Sequence, residues 1–66
     1  MKYKITMNNG NTYDCETLKD RSYFFKYVSS NNFIEAHKYA TEDDKAVRLT
    51  VFLSTRNISE IIQCKE

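Results

Sequence analysis

The first sixteen residues constrain the fold most strongly, because they read as one β-hairpin. Gly10 is the only glycine in the chain, and it follows two asparagines. Turn positions with positive φ favour glycine and asparagine, so Gly10 marks the tip of the hairpin. The flanking segments 2–7 and 11–16 are expected to pair as its two strands.

Two registers are possible for this hairpin. A two-residue turn would place Ile5 opposite Asp14 and mix apolar with polar side chains on both faces. A three-residue loop, with Gly10 in the left-handed region of a bulge, places Ile5 opposite Tyr13 and Lys4 opposite Asp14. The second register gives one apolar face and one face of matched charges, with each cross-strand pair contributing roughly 0.2–1 kcal/mol. We therefore predict the three-residue loop.

Length and charge limit the classes of function. The 66 residues predict a single domain, 1–66. A chain this short buries only about 60 % of its unfolded surface, which leaves no room for a deep substrate pocket. Ten basic residues balance nine acidic ones, so the chain lacks the positive field that non-specific nucleic-acid binding uses.

The distribution of apolar residues and cysteines predicts where in the cell the protein is located. No apolar run approaches the ~20 residues of a membrane span, and the segment 1–6 lacks the apolar core of a signal peptide. Cys15 and Cys64 are too few for a disulfide scaffold, so we expect reduced thiols packed as small apolar groups. We expect a soluble, cytoplasmic protein, located in the host cytoplasm if a phage encodes it.

A helix is predicted after the hairpin, from about Leu18 to Ser30. Thr17 would be its N-cap, with Asp20 completing a capping box. At 100° per residue, one arc of this helix is apolar and is expected to face the core. That arc contains Leu18, Phe24, Phe25 and Val28.

Three further strands are predicted in the second half of the chain, over 33–39, 47–53 and 58–64. A polar, acidic turn over 41–45 separates the first two. The last segment breaks strict alternation, which indicates a bulge or a short 3₁₀ segment near Ser59–Glu60.

The order of these elements predicts an α+β fold. We expect a five-stranded, strongly bent antiparallel sheet, or a small closed barrel, with one helix between strands 2 and 3. The residues expected to be largely buried are Ile5, Tyr13, Leu18, Phe25, Val28, Leu49, Val51 and Ile62.

Two parts of the chain resemble the ends of Sm-like and SH3-like small barrels. These are the early hairpin with Asn-Gly at its tip and the segment 51–61, an apolar strand that leads through a short turn into an Asn-Ile strand. Ser54-Thr55 stands where the Sm motif has Arg-Gly. The Thr-Arg-Asn-Ile-Ser turn at 55–59 also resembles short uncharacterised proteins of Gram-positive phages and mobile elements. The resemblance implies a small SH3-like or Sm-like barrel of phage or mobile-element origin.

A second stripe on the predicted helix is the leading candidate for a binding surface. Tyrosine buries a large area at low entropic cost and is enriched at interface hot spots. One alternative is that one tyrosine packs onto the sheet while the aliphatic parts of the lysine side chains cover the other tyrosine. Another is that the tyrosines stack on nucleic-acid bases while the lysines contact phosphates. The predicted partner-binding residues are Lys19, Tyr23, Lys26 and Tyr27.

Other polar residues give weaker candidates. The acidic turn residues Glu42, Asp43 and Asp44 could bind a cation, or could mimic the phosphates that a basic partner recognises. They lack EF-hand spacing, and they also suit a solvated turn. We expect His37 to be a partly buried packing residue, because no partner for catalysis can be placed. Cys15, Cys64 and His37 lack the spacing of a structural zinc site.

These observations lead to an expected function. We expect a non-enzymatic protein-binding module of a phage or mobile element that modulates or inhibits a larger host or defence protein. The alternative is a small nucleic-acid-binding barrel, which could be oligomeric. We expect no catalytic residue, cofactor, metal, membrane contact or small-molecule substrate.

Overall fold

The computed structural model describes residues 1–65 and contains an antiparallel sheet with one helix. The strands are β1 (Lys2–Met7), β2 (Thr12–Glu16), β3 (Phe33–Glu42), β4 (Lys45–Ser54) and β5 (Ile58–Gln63). Helix α1 (Arg21–Ser30) lies between β2 and β3, and a 3₁₀ turn (Thr55–Asn57) joins β4 to β5. The predicted α+β class and the position of the helix are confirmed. Within residues 1–65, no helix is long and apolar enough to cross a membrane.

The five strands lie in the order β4-β3-β2-β1-β5, and every neighbouring pair is antiparallel. Strands β4 and β5 are therefore the two edges of the sheet. No strand pairing joins these edges in the described part of the chain. The sheet is open and does not close into a barrel.

The β1–β2 hairpin has the predicted three-residue register. Ile5 lies opposite Tyr13, and Lys4 lies opposite Asp14. Gly10 has a φ of +89°, and its N–H donates to the carbonyl oxygen of Met7 at 2.9 Å. The prediction is confirmed, and the register separates an apolar face from a charged one.

Strand β5 contains the predicted bulge, because its register against β1 skips Ser59. Beyond the bulge, Ile61 lies opposite Ile5 on the buried side, and Ile62 lies opposite Lys4. Ile62 is 47 % exposed, so its predicted place in the core is wrong.

One face of the sheet is buried, and α1 packs on it; we call this the core face and the other the open face. Phe24 of α1 stacks on the ring of Tyr3. The buried residues are Tyr3, Ile5, Met7, Cys15, Phe24, Ile34, Ala36 and Leu53. Cys15 therefore packs as a small apolar group, as predicted, and both cysteines are free thiols.

The helix begins three residues later than predicted. Its N-cap is Asp20, whose carboxylate accepts a hydrogen bond from the N–H of Tyr23 at 2.9 Å. The hydroxyl oxygen of Thr17 instead accepts from the N–H of Lys19 at 3.1 Å, which closes a short turn before the helix. Leu18 lies in this turn and is fully exposed, so its predicted burial is wrong.

Two other predicted core residues are also exposed. Phe25 is 58 % exposed and Leu49 is 39 % exposed. The inward side of α1 runs through Phe24 and Val28, and a step of 100° places Phe25 on its flank. Of the remaining predicted core residues, Ile5 is fully buried, and Tyr13, Val28 and Val51 are partly buried against the core.

The β3–β4 hairpin has longer strands and a tighter turn than predicted. Only Asp43 and Asp44 form the loop, with φ values of 51° and 62°. Glu42 and Lys45 face each other at the ends of the two strands. Two successive positive φ values define a type I′ turn, whose twist suits a two-residue hairpin. The predicted five-residue turn over 41–45 is therefore wrong at both ends.

Candidate functional site

The sheet is nearly divided between β2 and β3. Asp14 opposite His37 is the one paired position between these strands. At Glu35, side chains replace the strand ladder: its N–H donates to the hydroxyl of Tyr27 at 3.2 Å, and its carbonyl oxygen accepts from Cys15 Sγ at 3.6 Å. Backbone polar groups need partners, and Tyr27 and Cys15 supply them where β2 diverges.

A cleft of about 250 Å³ opens at this division, between α1 and the ends of β2 and β3. We call it the α1–β3 cleft. Its walls include Glu16, Tyr23, Phe24, Tyr27, Glu35 and His37. The helix contributes aromatic residues and the sheet contributes Glu16, Glu35 and His37, while no lysine or arginine within residues 1–65 lines the cleft.

Tyr23 forms the accessible rim of the α1–β3 cleft. It is 52 % exposed, and its backbone is fixed by the N-cap hydrogen bond to Asp20. Lys19 Nζ lies 5.5 Å from the centroid of the Tyr23 ring, within cation–π range. Lys26 is exposed three positions further along the helix, on the same side as Tyr23. Three of the four predicted binding residues are thus accessible at one surface.

Tyr27, the fourth predicted binding residue, is half-buried. Its ring packs against the core, and its hydroxyl accepts the hydrogen bond from Glu35. It also lines the α1–β3 cleft, so it is both a packing residue and part of the cleft wall. Of the four predicted residues, Tyr23 and Tyr27 line the cleft, whereas Lys26 does not and Lys19 lies in the turn before the helix.

The charge of Glu35 affects the thiol of Cys15, which also lines the cleft. Burial raises the pKa of the Cys15 thiol from its ordinary value of 9.0, and the negative charge of Glu35 raises it further. Cys15 is therefore a neutral thiol at physiological pH.

His37 lies between two hollows. It lines the α1–β3 cleft and also a hollow of about 260 Å³ that Lys2, Asp14 and Arg48 help to form. It is half-buried, as predicted, and its Nδ1 atom is buried without a hydrogen-bond partner among the described residues.

The secondary candidate, the acidic turn, lies elsewhere. Glu42, Asp43 and Asp44 are exposed at the tip of the β3–β4 hairpin, and none of them lines the α1–β3 cleft. Across residues 1–65, no three or more His, Cys, Asp and Glu side chains gather into a group that could hold a metal ion.

Glu16 and Glu35 are the cleft residues that sequence reasoning missed. Each is a single glutamate in a strand, and the division of the sheet that brings them beside α1 has no local sequence signal. No family model, curated protein or solved structure matches this chain. The function is therefore inferred from the chemistry of the cleft and its rim.

Proposed function

We propose that this chain is a non-enzymatic module that binds a larger protein through the α1–β3 cleft and its tyrosine rim. The observation that carries the proposal is the position of Tyr23, a half-exposed aromatic side chain beside a small cleft. Its backbone is anchored by the Asp20 cap, so less conformational entropy is lost when it is covered. Tyrosines in such positions are frequent binding hot spots.

The size of the cleft is compatible with a protein partner. Its volume is about 250 Å³. Pockets for drug-sized small molecules span roughly 300–1,000 Å³. The cleft suits one inserted side chain of a partner, with Tyr23 and Lys26 contacting the surface around it.

We further propose that a phage or mobile element uses this module to modulate or inhibit a host or defence protein. A chain of 66 residues can act on a larger protein by covering part of its surface. Two sequence features support the origin. The chain is rich in Asn, Lys, Ile, Tyr and Phe, whose codons are AT-rich and are typical of low-GC genomes such as those of many Gram-positive bacteria and their phages. The turn at 55–59 resembles short phage proteins.

Nucleic-acid binding is the second candidate, although the open sheet does not form the SH3-like or Sm-like barrel expected for it. Phe33, Tyr39 and Phe52 are 60, 65 and 70 % exposed on the open face and could stack on bases. However, Lys4 lies opposite Asp14 on the same face, which places charges of both signs there. A mixed face lacks the positive track that a phosphate backbone follows, so we rank this function second.

Affinity capture from lysate of a low-GC Gram-positive host tests the proposal. Three baits are compared: the natural chain, the double variant Tyr23→Ala/Lys26→Ala, and the control Tyr39→Ala/Phe52→Ala on the open face. We expect one larger protein with the natural chain and the control, and its loss with the cleft variant. The purified partner should then change activity when the natural chain is added.

Two results would contradict this function. Capture that depends on Tyr39 and Phe52 instead of Tyr23 would move the site to the open face. Nucleic acid that co-purifies with the natural chain, with binding that falls steeply as salt rises, would favour the second candidate.

A further inference from the structure

We propose that two copies of this chain pair through strand β4, antiparallel and edge to edge, to form a symmetric dimer with one continuous sheet. Strand β4 is an edge strand, with β3 as its one neighbour in the sheet. Within residues 1–65, no hydrogen bond outside the β3–β4 ladder involves a residue of 45–54. The outer side of β4 therefore carries backbone groups that a further strand can bind.

The two edges of the sheet differ in their protection against such pairing. Strand β5 is six residues long, is interrupted by the bulge at Ser59 and carries Glu60. Strand β4 is ten residues long and pairs with β3 at every position without a bulge. Between Ala46 and Ser54, only Arg48 is charged. Short length, bulges and charges prevent edge pairing, so β4 is the edge that remains open to it.

The turn of the second hairpin determines which backbone groups of β4 face outward. Its type I′ geometry makes Glu42 and Lys45 a hydrogen-bonded pair. Hydrogen-bonded and non-hydrogen-bonded pairs alternate along an antiparallel ladder. The odd-numbered residues of β4 therefore bond to β3, whereas Arg48, Thr50 and Phe52 direct their N–H and carbonyl groups to the free edge.

The sequence of β4 is complementary to itself around Thr50. When a second copy runs antiparallel to the first, Thr50 lies opposite Thr50 of that copy, and the outward backbone groups of Arg48 meet those of its Phe52. On the open face, the Arg48 guanidinium then lies beside a ring that is 70 % exposed in the single chain. A cation beside an aromatic face is attracted to it, so this contact favours the pairing.

On the core face, the same register joins apolar side chains. Val47 lies opposite Leu53 of the second copy, and Leu49 lies opposite its Val51. Leu49 is 39 % exposed and Val51 is partly exposed in the single chain, so pairing covers apolar surface that the fold leaves open. A register centred on Leu49 would instead place the charge of Lys45 opposite Leu53. The first register is therefore the favoured one.

The dimer goes beyond the proposed function and does not depend on it. A two-fold axis at Thr50 closes the assembly at two copies, because the same edge is used by both. No residue of β4 lines the α1–β3 cleft in the described part of the chain. Pairing at β4 and binding at the cleft can therefore be tested separately.

Sedimentation equilibrium of the purified chain tests the proposal. We expect the natural chain to pass from the mass of one copy to the mass of two as its concentration rises. Thr50→Pro removes an outward N–H and leaves the bonds to β3, and proline is tolerated at such positions of edge strands. It should weaken the dimer about tenfold or more, because both hydrogen bonds between the two Thr50 residues are lost.

Thr50→Lys provides a second test if Thr50→Pro alters the fold, which circular dichroism would reveal. This change sets like charges directly opposite each other at the centre of the interface, and it should also weaken the dimer. The matched control is Thr12→Lys, at an exposed threonine of β2, which has a neighbouring strand on each side. The control should dimerise as the natural chain does.

Cysteine cross-linking locates the two-fold axis. In a Cys64→Ser background, Thr50→Cys should give a disulfide-linked dimer under air oxidation. Residues directly opposite in a hydrogen-bonded pair have Cα atoms about 5.5 Å apart, within the range of a disulfide. Arg48→Cys should cross-link far less, because the two copies of this position are offset by four residues, or about 13 Å.

Four results would overturn the proposal. They are a natural chain that stays monomeric as its concentration rises, a dimer that both Thr50 variants leave unchanged, equal weakening by Thr12→Lys, and equal cross-linking by Arg48→Cys and Thr50→Cys. A monomeric chain that loses capture of a larger protein on Thr50→Pro would assign the β4 edge to a strand of that protein instead.

Discussion

Tyr3 of β1 and Phe24 of α1 stack face to face, with ring centroids 3.9 Å apart and planes inclined by 6°. Both side chains are almost completely buried, at 2 % and 1 % exposure. Aromatic pairs of this kind contribute about 0.5–1.5 kcal/mol beyond the burial of their area. This stack fixes α1 on the core face, and it thereby positions Tyr23 and Tyr27 at the α1–β3 cleft.

Replacement of Phe24 tests the importance of this stack. Phe24→Ala should lower the free energy of unfolding by about 3–5 kcal/mol, because it removes a buried ring and leaves a cavity. The control is Phe25→Ala on the neighbouring exposed position, where a change of about 0.5 kcal/mol is expected. Urea denaturation followed by circular dichroism measures both. Equal losses of unfolding free energy in the two variants would show that Phe24 is no more important for stability than Phe25.

The turn of the first hairpin depends on the backbone conformation of Gly10. Gly10→Val should lower the free energy of unfolding by more than about 1 kcal/mol, because a β-branched residue is strained at positive φ. A Cβ atom at this position would meet no atom within 4 Å, so crowding contributes nothing. Gly10→Asn should cost less than Gly10→Val. Identical melting of the two variants would contradict this explanation.

In the second hairpin, a substitution in the turn is expected to stabilise the protein. Asp43 and Asp44 occupy the two left-handed positions of a type I′ turn, where glycine is favoured at the second. Asp44→Gly should therefore raise the free energy of unfolding by about 0.5–1 kcal/mol, because the strain of a left-handed side-chain residue is removed. Asp44→Val should lower it. Thermal unfolding checks both, and destabilisation by Asp44→Gly would show that the Asp44 side chain supports the turn.

Cys15 should make stability depend on alkaline pH. Burial raises the pKa of its thiol in the folded protein above the ordinary value of 9.0. The thiol's contribution is therefore fully present below 9.0 and is lost as the pH rises toward the folded pKa, because only the unfolded chain deprotonates readily. A Cys64→Ser background should lose more stability above this pH than the same background with Cys15→Ala. Parallel profiles of unfolding free energy against pH for the two proteins would contradict the raised pKa of Cys15.

The sequence predicts the elements whose interactions are local. The β1–β2 register follows from alternation and Gly10, both contained in a segment of fifteen residues, 2–16. The bulge at Ser59 is likewise visible in the broken alternation of β5. The start of α1 is less certain from sequence, because Thr17 and Asp20 are both acceptable caps. The structure uses Asp20, which leaves Thr17 to close the preceding turn.

Features that depend on distant contacts could not be predicted in the same way. Phe24 and Phe25 are adjacent apolar residues, and only the position of Tyr3 on the sheet determines which is buried. The exposure of Tyr23 was predictable from the helical period. Its neighbours Glu16 and Glu35 were not, because they meet α1 only where β2 and β3 diverge.

The dissociation constant of the captured protein tests the central claim most directly. It is measured by calorimetry with the natural chain, with Tyr23→Ala, and with Tyr39→Ala as the exposed-tyrosine control on the open face. We predict that Tyr23→Ala keeps the fold and weakens binding tenfold or more, which corresponds to about 1.4 kcal/mol. Tyr39→Ala should bind as the natural chain does. An unchanged constant for Tyr23→Ala, or weakening by Tyr39→Ala alone, would contradict binding at the α1–β3 cleft.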